Sequence, residues 1–266
     1  MKHFTQGKYL GTSKNELSLG GIILSETFYE ERFSSEWHTH ENPYLAFVLK
    51  GGCVEKRKKD SAECDPGKLL FYSCGEPHLN HSYQPDTRMF NVELNHRWMQ
   101  SMDFGTLMGN GIITPVGPNQ KFLLLKIFRE YRLLDHCSSL NIETITIDLL
   151  TSIRQNINLP SDIPKWAVRL KEVLHDRWSE NISLKELSEI IRVHPVTISR
   201  YFPIHFKCTL GDYIRKIRID KSLNLIRAGD EKLTDIALAS GFADQSHFIR
   251  TFKKVTGLLP NEYRNL

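Results

Sequence analysis

The chain has 266 residues, of which 40% are hydrophobic and 25% charged, with five cysteines and a formal net charge of +4. That length can hold two packed cores, and no apolar run is long enough to cross a bilayer as a helix. The odd, widely spaced cysteines (Cys53, Cys64, Cys74, Cys137, Cys208) and the lack of a signal-peptide-like stretch over Met1–Leu10 argue against a disulfide framework. A cytoplasmic protein with small, buried or half-buried cysteines is expected.

In chain order, the region from about Gly20 to Glu93 reads as short strands. Tyr44–Leu49 and Lys68–Tyr72 are apolar and aromatic, and they are bounded by Gly51-Gly52, Asp65-Pro66-Gly67 and Cys74-Gly75-Glu76-Pro77. Frequent turn signals between short strands favour a β-barrel or sandwich. After Pro118 the period becomes helical. Phe122, Leu125, Phe128 and Arg132–Leu134 fit a helix of about five turns, and a second is expected over Ile142–Ile157. The stretch 159–164, with Pro160 and Pro164, reads as a linker, because proline denies helix continuity.

Everything after Trp166 reads as helices with short turns. Ser183 and Glu186 form a capping box for a helix burying Leu184, Leu187, Ile190 and Ile191. After a turn at Arg192-Val193, Pro195 suits a first helical position, and the next helix, Pro195–Phe202, turns Ile198 and Phe202 inward. The plan then recurs. Thr234–Ser240 forms a short amphipathic helix ended by Gly241, and Asp244 caps a second helix, Gln245–Lys254, that buries Phe248 and Phe252. Between the copies, Asp212–Arg227 is one long helix able to pack on both. Charge supports the same division: 18 of the 35 basic residues but only 12 of the 31 acidic ones lie in Lys165–Leu266. A basic module suits contact with phosphate.

The run Gly241-Phe242-Ala243-Asp244-Gln245-Ser246-His247-Phe248, with Arg250, Phe252-Lys253-Lys254, Gly257, Pro260 and Tyr263-Arg264, resembles the signature of AraC/XylS-type transcription regulators over roughly Lys165–Leu266. The resemblance implies seven helices, with two recognition helices in successive major-groove segments on one face of DNA. By position, Val196, Ser199 and Arg200 match the first reading helix, on which Thr197 is a further candidate DNA contact. Gln245, Ser246, Ile249 and Arg250 match the second, where Lys253 adds a phosphate contact. Lys254, Arg215 and Arg218 are expected to add further phosphate contacts. The first copy departs from the pattern: Arg192 and Lys207 stand at turn glycine positions, and Pro203 is expected to end the first recognition helix early.

In the N-terminal half, Trp37-His38-Thr39-His40-Glu41 precedes one strand, and Gly67 precedes another leading to Gly75-Glu76-Pro77-His78. This resembles the two motifs of the cupin β-barrel, a common sensory domain in AraC-type regulators, over about Glu36–Asn80. Metal-binding cupins carry His-x-His, a Glu three or four residues on, and a final His. His38, His40 and His78 fall at the His positions. The Glu position falls at Tyr44 or Leu45, and Glu41 points to the opposite face. Three histidines can hold a divalent ion. The missing carboxylate instead favours His38, His40, Tyr44 and His78 as effector-pocket residues, with no metal or cofactor assigned.

The expected architecture is α+β multidomain. Residues 1–117 form a cupin-like β-barrel for an effector, 118–158 a helical dimerisation or connector segment, 159–164 a linker, and 165–266 an all-α domain of two helix-turn-helix units. The expected function is sequence-specific transcription regulation, not catalysis. The expected partners are double-stranded promoter DNA, a small-molecule effector, a second copy of the chain and, by family analogy, RNA polymerase. Two alternatives compete: a metal-dependent cupin enzyme joined to a DNA-binding tail, against which the missing Glu counts, and a DNA-organising protein with an inert barrel.

Overall fold

The computed structural model describes residues 1–58, 60–105, 118–157, 163–229 and 231–266. The chain divides into two units, 1–157 and 158–265.

Among the described residues of the first unit, ten strands are followed by three helices. The strands are β1 (Lys2–Phe4), β2 (Thr12–Leu19), β3 (Ile22–Tyr29), β4 (His38–His40), β5 (Tyr44–Lys50), β6 (Cys53–Arg57), β7 (Ser61–Cys64), β8 (Leu69–Tyr72), β9 (His78–His81) and β10 (Thr87–Leu94). They make two five-stranded sheets, ordered β1-β4-β9-β6-β7 and β2-β3-β10-β5-β8. The expected β-rich unit is therefore present, but among the described residues its strands form two sheets rather than one closed barrel. Tyr44, Ala46, Val48, Leu70, Tyr72 and Met89 from one sheet pack with Cys53 and Cys64 from the other. Two strands precede the expected start at Gly20. β2 is an edge strand whose residues are mostly exposed, so it lacks the apolar alternation that marks a half-buried strand. Cys53 and Cys64 are buried register partners and Cys208 is half-buried, whereas Cys74 and Cys137 are exposed, against expectation.

The helices are α1 (His96–Ser101), α2 (Pro118–Leu133) and α3 (Ser138–Ile157). α2 lies on the second sheet. Its Phe128 and Tyr131 rings sit 5.0 and 5.2 Å from Phe90, and the Tyr131 hydroxyl donates to the Asn15 carbonyl at 2.8 Å. Burial of each such ring stabilises by about 1.5–3 kcal/mol. Glu26, 1% exposed on β3, would be costly there alone. It lies 3.6 Å from Arg88 and 3.4 Å from Arg132. α3 begins a turn earlier than expected, where the Asp135 side chain accepts from the Cys137 amide and the Ser138 hydroxyl. It packs on α2, and its Glu143 accepts from the Trp98 indole at 3.2 Å.

Residues 158–162, which include most of the expected linker 159–164, lie outside the described residues. Among its described residues the second unit then has seven helices: α4 (Lys165–Asp176), α5 (Leu184–Ile191), α6 (Pro195–Phe206), α7 (Leu210–Ala228), α8 (Leu233–Ala239), α9 (Gln245–Thr256) and α10 (Pro260–Arg264). Leu170, Leu174, Leu187, Ile191, Ile198, Phe202 and Ile217 form one core. The second copy buries Ile236, Phe242, Phe248, Phe252 and Tyr263, with successive ring centroids 5.3–5.9 Å apart. α7 packs against α6 on one side and against α8, α9 and α10 on the other. Among the described residues, no helix is long and apolar enough to cross a membrane.

One expectation for this unit fails. α6 does not stop before Pro203 but continues to Phe206. Proline inside a helix removes one backbone donor and crowds the preceding turn, at about 3 kcal/mol. Packing outweighs that cost: the Phe206 ring stacks on Phe202 at 4.3 Å and meets Tyr213 of α7 at 5.2 Å. The helix ends only at Lys207, which takes the left-handed conformation (φ 55°).

Candidate nucleic-acid interface and histidine cluster

The two helix pairs are built by the same local devices. In the first copy, Ser183 and Glu186 make the reciprocal capping box, with bonds of 3.2 and 2.7 Å. Arg192 forms the turn at φ 58°, where the second copy uses Gly241 at φ 76°. α6 starts at Pro195, and the His194 ring, unforeseen from sequence, accepts from the Val196 amide at 3.3 Å. In the second copy, Asp244 accepts from the His247 amide at 2.7 Å and starts α9. Lys207 and Gly257 close α6 and α9, both left-handed. The departures from glycine at Arg192 and Lys207 therefore leave the turn geometry in place and put strain on an L-residue instead.

Ile198 and Phe202 anchor α6 in the core at 0% exposure, as Phe248 and Phe252 anchor α9. That fixes which faces remain outside. On α6, Val196, Ser199 and Arg200 are exposed and Thr197 is half-buried. On α9, Ser246, Arg250 and Lys253 are exposed, with Gln245 and Ile249 half-buried. Positions 245, 246, 249, 250 and 253 share one helical face. The Gln245 carbonyl oxygen accepts from the Thr234 hydroxyl of α8 at 2.7 Å, which holds the amide and leaves its NH2 group pointing elsewhere. Arg215 and Arg218, both expected at phosphate, have partners within the domain. Arg215 pairs with Asp212 at 2.8 Å. The Arg218 guanidinium donates to the carbonyls of Trp178, Glu180 and Gly241 and to Asn181 Oδ1, at 2.5–3.0 Å, so it ties together segments of the fold. No local pattern signals this role, because the acceptors are mostly backbone atoms distant in the chain.

The register of the first sheet gathers the histidines. His38 on β4 stands directly opposite His78 on β9, and His40, two residues along β4, shares their face. The His38–His78 ring centroids are 4.3 Å apart, and His40 lies 5.4–5.5 Å from both. Nδ1 of His38 bonds the Glu36 carbonyl at 2.8 Å, and Nδ1 of His78 bonds the Glu76 carbonyl at 2.9 Å. Because a carbonyl only accepts, both Nδ1 atoms carry the proton and both Nε2 atoms present a lone pair. Tyr44 joins from β5, with its hydroxyl 3.2 Å from His78 Nε2 and its ring stacked on Tyr72. Tyr9, unforeseen because its segment has no strand pattern, closes the group 5.4 Å from His40.

Burial, then the neighbouring imidazoles, pushes His40 down to about 3. His78 falls to about 2 for the same reasons, and burial also lowers His38. Burial raises Tyr9, Tyr44 and Tyr72 well above the usual phenol value. The cluster is thus a neutral set of donors and lone pairs at ordinary pH. The three histidines each offer an atom within 4.8 Å of the others, a donor set that suits a divalent transition ion. The void beside them, lined by His38, His40, Tyr44 and Tyr72, measures about 10 Å³, the room of a single water.

Two capped helix pairs, one rod packed between them and an exposed face on each second helix define a double helix-turn-helix domain of the DNA-binding kind. A helix-turn-helix domain family matches residues 187–266. The transcriptional activator RhaS of Escherichia fergusonii is 30% identical over 127 residues, 47% of this chain and 45% of that protein. RhaS of Mannheimia succiniciproducens is 22% identical over 255 residues, 91% of this chain and 93% of that one. The chain spans less than half the length of the first relatives it matches. The structure of ToxT from Vibrio cholerae aligns with 92% of this chain and 98% of its own at 14% identity, with a TM-score of only 0.39. Residues 187–266 thus form a helix-turn-helix domain similar to those of these transcriptional activators.

Proposed function

We propose that the whole chain is a sequence-specific transcription regulator that binds double-stranded promoter DNA through α6 and α9 and is controlled from the histidine cluster. The observation that carries this reading is the pair of reading helices, each capped at its start, anchored by buried aromatics and exposed on the opposite face. Arg200, Arg250 and Gln245 have the geometry to pair with base edges, Val196 and Ile249 to meet thymine methyl groups, and Lys253 to meet phosphate. Relatives named as transcriptional activators support activation, with RNA polymerase as the further partner. Pairing with a second copy would use α2, α3 and the turn between them, where Leu133, Leu134 and Leu140 are more than half exposed.

The test is binding to a duplex enriched from a random-sequence library by the full chain. Arg250→Ala is expected to weaken that site by about 1–3 kcal/mol and to relax preference at one position. Lys253→Ala is expected to weaken all duplexes alike and to lower the salt slope by about one unit. Equal loss on random DNA for Arg250→Ala would move that residue to a phosphate contact, and no enrichment of any duplex would overturn the reading.

For control, a small molecule would take its polar contacts from His38, His40, Tyr44 and His78, after side chains such as Tyr9 and Tyr29 move to enlarge the void. The size of that void favours a second reading, a divalent cation held by the three imidazoles with Tyr44 displaced from His78. Metal analysis of chelator-free protein separates the two: a stoichiometric ion abolished by His38→Ala supports the cation. A melting shift with an organic compound in metal-free protein supports the small molecule.

A further inference from the structure

Two helix-turn-helix copies joined by one helix can read DNA together only if their separation is fixed. In this domain the contact between the copies is a backbone approach. A Cβ placed on Gly241, in the turn between α8 and α9, would lie 2.4 Å from the Ser179 carbonyl oxygen, in the loop between α4 and α5. Only glycine permits that approach, and its φ of +76° independently favours glycine.

Arg218 sits across this junction from the middle of α7. Its Nε donates to the Trp178 carbonyl at 3.0 Å, and one terminal nitrogen donates to the Glu180 carbonyl at 2.8 Å and to Asn181 Oδ1 at 3.0 Å. The other terminal nitrogen donates to the Gly241 carbonyl at 2.5 Å, and the guanidinium lies 5.9 Å from the Phe242 ring centroid. One planar group thus engages the first copy's loop and the second copy's turn. The planar fork of arginine suits this, whereas lysine, a point donor, cannot span acceptors on two sides.

We propose that Arg218 is the positioning residue that fixes the separation of α6 and α9, and so the spacing of the two DNA segments that the chain accepts. The proposal rests on the DNA-binding reading for its second half only. Inserting one base pair between two segments moves the second by about 3.4 Å and turns it by roughly 35°, a mismatch that a rigid pair of readers cannot follow.

The test uses the full chain and the library-enriched duplex, versions with one or two base pairs inserted between its segments, and a version with one segment scrambled. The wild type should lose affinity steeply on insertion. Arg218→Ala should bind the original duplex about ten- to a hundredfold more weakly, because the second segment loses its effective concentration. It should also bind the scrambled duplex as the wild type does and discriminate little between spacings. Arg218→Lys should not restore the spacing preference. Independently of DNA, spin labels are placed by Ser199→Cys and Ser246→Cys in a chain lacking Cys74, Cys137 and Cys208. They should give one narrow distance distribution, broadened by Arg218→Ala. An unchanged spacing preference, equal weakening on the scrambled duplex, or a distribution as narrow as before would overturn the proposal. If Arg218→Ala does not fold, Arg218→Lys is judged by the same measurements. If no duplex is enriched, the DNA reading fails while the label distances still decide the role of Arg218.

Discussion

The left-handed residues of the first helix pair give a test of how strain is distributed between the copies. Arg192 and Lys207 take φ values of 58° and 55°, at the places where the second copy has Gly241 and Gly257 at 76° and 83°. For an L-residue this conformation costs roughly 1–2 kcal/mol, whereas glycine adopts it freely. Glycine also loosens the unfolded chain, which takes back about 0.4–1 kcal/mol. Arg192→Gly and Lys207→Gly should therefore each stabilise the first copy by about 0.5–1 kcal/mol. Both side chains are exposed, so little packing is lost. The reverse change, Gly241→Ala, adds the left-handed strain and the 2.4 Å approach to the Ser179 oxygen, for a loss above about 2 kcal/mol. Hydrogen exchange of the α5 and α6 amides in the full chain reads this locally. A gain of about 1 kcal/mol slows exchange roughly fivefold when opening is the limiting equilibrium. Unchanged or faster exchange in Arg192→Gly would refute the reasoning, since it would mean that the arginine side chain stabilises the turn by more than its backbone strain.

Pro203→Ala should return a backbone donor to the Ser199 carbonyl inside α6 and stabilise that helix by about 1–2 kcal/mol, read as slower exchange of the α6 amides; a loss of protection would mean that the ring packs too well to replace. Asp244→Ala should cost about 1 kcal/mol at the start of α9 and Ser183→Ala about the same at α5, measured by denaturant melts against Asn and Thr controls that keep the cap. The first unit should be acid-labile. His38, His40 and His78 have lowered values in the fold, so the unfolded chain takes up protons first as pH falls. Stability is full above about pH 6.5 and declines below it by roughly 1 kcal/mol per pH unit for each histidine. For His40 and His78 the decline would end only near their folded values of about 3 and about 2. His40→Gln should lower the proton uptake on unfolding by one between pH 6 and 4, and an unaltered slope would place the acid sensitivity elsewhere.

Local chemistry made the C-terminal domain legible. Caps at Ser183 and Asp244, Pro195 at a first helical position, Gly241 in a left-handed turn and paired apolar positions on each short helix all act within a few residues, and the structure contains each of them. The exposure of Val196, Ser199, Arg200, Ser246 and Arg250 follows from the same period once the buried side is known. What sequence could not decide depends on groups far apart in the chain. Pro203 remains inside α6 because Phe206 finds Phe202 and Tyr213, packing that no propensity rule contains. Arg218 looked like one more surface cation until its carbonyl acceptors came from two other loops. The histidines could be named in advance, but their tautomers, their neutrality and the water-sized void beside them depend on the β4–β9 register and on Tyr9, Tyr44 and Tyr72 closing over them. Sequence alone therefore determined most helix boundaries of the C-terminal domain and which faces of α6 and α9 stay exposed, since short-range periodicity and capping set them. Tertiary structure alone decided the partners of buried and clamped polar groups, since those partners are chosen by which distant backbones the fold brings within a hydrogen bond.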